Sequence, residues 1–138
     1  MQKNNQPHSI LFIDDEEDIL YLVGRMLEKE GFSVAHAQTG AEGIKKAKEL
    51  KPDLILLDIM LPDISGWELC KELKEEKETK EIPIVMLTIR SSENSVEKSF
   101  SYAHSEAHIA KPFKREKLIN TIRWVLKHRA HEKGKGEK

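Results

Sequence analysis

Apolar residues follow two rhythms that alternate along the chain. Ser9-Ile10-Leu11-Phe12-Ile13 is a short, nearly continuous apolar run, the pattern of a strand buried on both faces. Next come Ile19, Leu20, Val23, Met26 and Leu27, whose spacing makes one apolar stripe on a helix that Gly31 is placed to end. Ser33 to Ala37 predicts a second strand. Thr39-Gly40-Ala41-Glu42 sets a hydroxyl and a carboxylate three residues apart, as in a capping box. The helix it opens is predicted to turn Ile44, Ala47 and Leu50 inward, and Pro52 blocks its continuation. Asp53 to Leu57 reads as a third strand. Ser65-Gly66-Trp67-Glu68 is a second capping box, opening a helix to about Glu76. Ile84 to Leu87 predicts a fourth strand, residues 92–103 a poorly formed fourth helix, and His108 to Ala110 a short fifth strand. Lys114 to about His128 is the last helix, with Leu118, Ile119, Ile122, Val125 and Leu126 inward.

Five strand–helix units in succession predict an α/β domain with a parallel sheet and helices on both faces. Right-handed crossovers leave few topologies, and the flavodoxin-like order 2-1-3-4-5 is the expected one. One such domain, over residues 9–128, accounts for most of the 138 residues. The polar residues 1–8 are expected to form a flexible N-terminus, and residues 129–138, which lack an apolar pattern, a disordered tail.

Composition narrows the function classes. With 23 basic and 24 acidic residues the net charge is −1, so direct nucleic-acid binding is not expected. The basic residues near the end, Lys127, His128, Arg129, Lys133, Lys135 and Lys138, read as a solvated tail. A single cysteine, Cys70, excludes a disulfide framework within the chain and reads as helix packing. No apolar run approaches the length of a membrane span, and the N-terminus resembles no signal peptide, so a cytoplasmic location away from membranes is expected.

In a doubly wound sheet, ligands bind beyond the carboxyl ends of the strands, at the switch point. The first strand runs into Asp14-Asp15-Glu16-Glu17, the third ends at Asp58, the fourth at Thr88 and the fifth at Lys111. Each residue alone has an ordinary reading, as a helix-start acid, a turn residue, a strand end or a surface lysine. Together they place three carboxylates, a hydroxyl and an ammonium at one sheet edge. Two carboxylates about 4 Å apart repel by roughly 4 kcal/mol at an effective dielectric of ~20. Such a cluster needs a proton or a cation, and hard oxygen donors suit Mg²⁺, with Mn²⁺ a second option.

Ile13-Asp14-Asp15-Glu16, Asp53 through Pro62, Leu87-Thr88 and Lys111-Pro112-Phe113 together resemble the receiver domains of response regulators, over about Ser9 to His128. The resemblance implies a phosphoacceptor at Asp58 and a metal held by Asp14, Asp15, Asp58 and the backbone carbonyl of Met60. It implies a phosphoryl contact from Thr88 and from Lys111, and a cis Lys111-Pro112 bond. The implied donor is a phosphohistidine on a sensor histidine kinase or phosphotransfer protein. The implied output is altered binding of a downstream protein at the face of the fourth helix, fifth strand and fifth helix. No output domain follows the last helix in this sequence, which fits output by binding or a place in a phosphorelay. Self-phosphorylation and self-hydrolysis are the only reactions expected.

Several positions depart from the family pattern. Ile89 stands where a small residue is common, so Ile89 and Arg90 are expected to restrict access to the phosphoryl site. His108 stands where an aromatic switch residue is common, and as an imidazole it brings either packing or pH sensitivity. His104-Ser105 replaces the usual Gly-Ala before the fifth strand. The 91–102 segment holds five serines, which compete for backbone bonds and predict a soft fourth helix. Three other functions bear comparison. An aspartyl phosphohydrolase wants a second acid two residues after its nucleophile, where Met60 stands. A flavodoxin would not present Asp14-Asp15-Glu16-Glu17 to a phosphate. A pseudo-receiver acting only as a protein-binding module remains the alternative.

Overall fold

The computed structural model describes residues 8–89 and 105–136, with the backbone alone described for Ile89 and residues 129–136. Five strands, β1 (Ser9–Ile13), β2 (Ser33–Ala37), β3 (Leu54–Asp58), β4 (Ile84–Ile89) and β5 (Ala107–Lys111), form one sheet in the order β2-β1-β3-β4-β5. All four neighbouring pairs are parallel. Four described helices join them: α1 (Glu17–Lys29), α2 (Gly40–Leu50), α3 (Gly66–Glu75) and the C-terminal α4 (Arg115–Gly136). The doubly wound fold expected from the alternation is the fold observed. The fourth helix expected over 92–103 lies outside the described residues, as do residues 1–7 of the expected flexible N-terminus.

Side-chain alternation divides the core between the two faces of the sheet. Ile10, Phe12, Leu54, Leu56, Val85, Leu87 and Ile109 pack under α1 and α4, against Leu20, Leu27, Leu118, Ile122 and Val125. Leu11, Ile13, Ile55, Leu57, Ile84 and Met86 pack under α2 and α3, against Ala47, Leu69, Cys70 and Leu73. A strand in the middle of a parallel sheet has no solvent face, which is why β1, β3 and β4 are apolar at nearly every position. Each buried Leu or Ile contributes about 1.5–3 kcal/mol relative to exposure.

The helix ends follow from local chemistry. After α1, Gly31 takes φ 96°. Its N–H donates to the Glu28 carbonyl (3.0 Å), and Phe32 N–H donates to the Leu27 carbonyl (3.2 Å). This pair of bonds is the Schellman ending that glycine makes accessible. Thr39 and Ser65 cap α2 and α3, their hydroxyls accepting from Glu42 N–H (3.0 Å) and Glu68 N–H (3.2 Å). Glu42 departs from the expected box, since its carboxylate accepts from Gln38 N–H (2.9 Å), one residue before the cap.

Two expectations need correction. Leu50, expected inward, is 53% exposed. It is the last residue of α2, and the chain turns off at Lys51 with φ 47°, so no further turn of helix covers it. The last helix does not stop near His128 but continues to Gly136. The added turns include Ala, Arg, Lys and Glu, residues whose backbone favours helix without an apolar stripe.

Gly66 fixes how α3 meets the end of β3. A Cβ at this position would lie 2.5 Å from the Asp58 carbonyl oxygen and 2.6 Å from Ile59 Cα. Both obstacles are backbone and cannot rotate aside. Gly66→Ala is therefore expected to lower stability by about 1–3 kcal/mol, as overpacking does elsewhere. Urea unfolding checks this, and a midpoint equal to wild type would show that the loop yields at no cost.

Candidate functional site

The carboxyl ends of β1, β3, β4 and β5 bring Asp14, Asp58, Thr88 and Lys111 to one edge of the sheet, with Asp15 beside Asp14. One carboxylate oxygen from each of Asp14, Asp15 and Asp58 lies within 4.8 Å of the others. Asp14 is fully buried, Asp58 is 7% exposed, and Asp15 faces solvent. The sequence brought these three acids to one edge but did not rank them by depth.

Each group is held by specific partners. Asp14 Oδ1 accepts from Glu16 N–H (3.0 Å). Asp58 Oδ2 accepts from Met60 N–H (3.1 Å), and its Oδ1 accepts from the Lys111 ammonium (2.8 Å). Lys111 Nζ is also 3.8 Å from Asp14 Oδ2. The Lys111-Pro112 peptide bond is cis, as the resemblance implied.

The electrostatics reflect burial first. Desolvation pushes the Asp14 carboxyl up to about 6 from its ordinary 3.8, and the charge of Asp58 adds to the rise. The Glu16 amide and Lys111 oppose it. Burial alone would lower Lys111, but the hydrogen bond and charge of Asp58, helped by Asp14 and Glu16, hold the ammonium above its ordinary value. One ammonium among three carboxylates leaves the cluster short of positive charge.

Asp14 Oδ2 and Thr88 Oγ1 are both buried and make no hydrogen bond among the described residues. A buried polar group left unsatisfied costs about 1–3 kcal/mol. Asp14 lies in a group of three acids with one ammonium nearby, so a divalent cation with hard-oxygen preference fits this donor set. The Thr88 hydroxyl has a proton to donate, which fits an oxyanion.

The remaining sequence-selected residues are placed as follows. Met60 presents its side chain to solvent at 61% exposure, while its amide binds Asp58. His108 lies in β5 opposite Met86 and is half-buried. Burial, aided by the charge of Lys117, holds its imidazole below the ordinary range. Ile89 ends β4 in register with Lys111. The access role expected of its side chain, and of Arg90, falls outside the described side chains.

Sequence reasoning missed Asp63. This residue leaves the loop after β3 to bind the start of α2, accepting from Gly40 N–H (2.8 Å) and Ala41 N–H (3.1 Å). The tripeptide Pro62-Asp63-Ile64 signals only a turn, and no local pattern names a partner more than twenty residues away.

Residues 10–123 match the family described as the response regulator receiver domain. The chain is 37% identical over 118 residues to the alkaline phosphatase synthesis transcriptional regulatory protein PhoP of Bacillus subtilis, covering 86% of this chain and 48% of PhoP. It is 33% identical over 118 residues to protein PilH of Pseudomonas aeruginosa, covering 85% of this chain and 96% of PilH. The chain thus spans about half the length of PhoP and nearly all of PilH. Among solved structures it resembles the receiver domain of a Pseudomonas aeruginosa sensor histidine kinase, with a TM-score of 0.80 and 25% identity over 87% of this chain and 98% of that one. That crystal structure has a magnesium ion coordinated in its active-site cleft.

Proposed function

The chain belongs to the response regulator receiver family of two-component signalling, and from that premise we propose that Asp58 accepts a phosphoryl group while Asp14 and Asp15 hold Mg²⁺ beside it. The observation that carries this reading is the cluster of three carboxylates within 4.8 Å, with a buried oxygen on Asp14 that accepts no hydrogen bond. Asp58 suits the acceptor role because its carboxylate sits between the Lys111 ammonium and the Met60 amide, aimed at the sheet edge by both. Mg²⁺, or Mn²⁺ in its place, supplies positive charge that offsets the transferring oxygens when bound.

The chain's own groups divide the remaining work. An Asp58 oxygen attacks phosphorus, and the phosphorus–nitrogen bond of a partner's phosphohistidine breaks. The electron pair returns to the imidazole, which takes up a proton, and Asp58 becomes an acyl phosphate. Lys111 pairs with the new phosphoryl charge, and the Thr88 hydroxyl donates to one of its oxygens. Met60 would offer its backbone carbonyl to the metal. Water later attacks the phosphorus, releasing phosphate and restoring the carboxylate, so the signal ends without a second enzyme.

Receiver domains interact with histidine kinases or phosphotransfer proteins and with downstream targets. For this chain the donor is a sensor histidine kinase or phosphotransfer protein, and the target binds the face that includes β5 and α4. A role confined to protein binding would leave the buried oxygens of Asp14 and Thr88 without use. No described helix is long and apolar enough to cross a membrane.

The reading is tested with a small acyl phosphate as donor and intact mass as the readout. Wild type is expected to gain one phosphoryl group with Mg²⁺, and chelation to slow the gain by at least about 10-fold, or roughly 1.4 kcal/mol of barrier. Asp15→Ala is expected to need more Mg²⁺ for the same rate. Equal rates for wild type with and without chelator would remove the metal from the account.

A further inference from the structure

The loop between β3 and α3, residues 59–65, is tied down at three places. Met60 N–H donates to Asp58 Oδ2 (3.1 Å), and Gly66 N–H donates to the Ile59 carbonyl (2.6 Å). The third tie crosses to another element. Asp63 Oδ1 accepts from Gly40 N–H (2.8 Å), and Asp63 Oδ2 accepts from Ala41 N–H (3.1 Å).

Gly40 and Ala41 are the first two residues of α2, and amides at a helix start have no partner inside the helix. Thr39 satisfies the Glu42 amide from within the same segment. The helix start is therefore capped twice, once locally by a hydroxyl and once by a carboxylate delivered from the acceptor loop. A negative charge is favoured at this end of the helix. The Gly40 amide, then the Ala41 amide, hold the Asp63 carboxyl below the usual carboxylate range. Loop and helix also touch directly, since a Cβ at Gly40 would fall well inside the contact distance of Ile64 Cγ2.

We propose that Asp63 is a positioning residue for the phosphoacceptor site: by fastening the loop to α2 it holds Met60, and through the Met60 amide the Asp58 carboxylate, in the orientation that metal and phosphoryl ligands require. The inference rests on the functional reading above. Asp63 touches none of the reacting groups and acts only through the backbone it anchors. A merely structural Asp63 would do no more than Thr39 does, which is to stabilise the start of α2.

That contrast supplies the test. The full chain, labelled with nitrogen-15, is titrated with Mg²⁺ alone while the amide resonances of Glu16 and Met60 are followed. Asp63→Ala is expected to raise the half-saturating Mg²⁺ concentration about 5- to 10-fold, near the lower end of what outer partners of a metal site produce. Thr39→Ala is expected to lower thermal stability about as much, yet leave half-saturation at the wild-type value. Asp63→Asn keeps an oxygen for the Gly40 amide and should recover most of the affinity. Gly40→Ala forces the same contact apart from the α2 side, and should shift half-saturation in the same direction as Asp63→Ala. An Asp63→Ala titration that overlays wild type overturns the assignment, as does a Thr39→Ala shift of equal size. A wild type whose Glu16 and Met60 amides ignore Mg²⁺ overturns the functional reading together with this inference.

Discussion

Asp58→Asn is expected to gain no phosphoryl group under conditions in which wild type gains one. The substitution is nearly isosteric, and it keeps an oxygen that can accept from Lys111 or from Met60 N–H, the two partners of the native side chain. What it removes is the anionic oxygen that attacks phosphorus, since an amide oxygen is a far weaker nucleophile. It also removes one of the charges that raise Asp14, so the protein should remain folded. A folded variant that fails to label isolates the chemistry from the fold. Circular dichroism establishes folding, and intact mass after incubation with a small acyl phosphate and Mg²⁺ reads the label. Labelling of Asp58→Asn at the wild-type rate would place the acceptor elsewhere.

Asp14→Asn is expected to stabilise the metal-free protein, most strongly at high pH. The Asp14 carboxyl is raised from 3.8 to about 6 by burial and then by the charge of Asp58. The folded state therefore binds this proton more tightly than the unfolded state does. Stability must fall as pH rises through the window between about 4 and 6, and stays low above it. At about 1.36 kcal/mol per pH unit, the cost of the charged form is on the order of 3 kcal/mol at pH 8 and becomes small at pH 4. Asparagine removes the charge while keeping an oxygen for the Glu16 amide. Denaturant unfolding in chelator at both pH values checks the result. The gain should be large at pH 8 and small at pH 4. A variant less stable than wild type at pH 8 would mean that attraction to Lys111 outweighs burial. The same variant should lose Mg²⁺-dependent labelling, since the charge that destabilises the metal-free fold is the charge offered to the metal.

The sheet and the site edge were legible because both depend on patterns that repeat along the chain. Short, β-branched apolar runs at Ile10–Ile13, Leu54–Leu57 and Ile84–Leu87, alternating with helix patterns, read as central parallel strands. Once the strand order follows, Asp14, Asp58, Thr88 and Lys111 must share an edge, whatever their separation in sequence. What was not legible depends on three-dimensional neighbours. Neighbouring Asp14 and Asp15 look alike in sequence, yet one is fully buried and the other faces solvent. The carboxylate of Asp63 binds α2, and Lys74 binds Glu106 (2.8 Å) to tie α3 to the segment before β5. Glu30, at the end of α1, pairs with both Arg115 and Arg123 of α4. No local spacing announces these partners. The length of α4 was misread for a different reason: apolar periodicity reports burial, and the last turns of α4 are helical without it.

The central claim is that Asp58 carries the phosphoryl group, and the most direct measurement locates that group in the wild-type chain. Borohydride reduces an acyl phosphate to an alcohol, converting a phosphorylated aspartate to homoserine. Wild type is incubated with a small acyl phosphate and Mg²⁺, reduced, digested and sequenced by mass spectrometry. Homoserine at position 58, absent when Mg²⁺ is chelated, is the predicted result. Homoserine at Asp14, Asp15 or Asp53 with Asp58 unmodified would contradict the account.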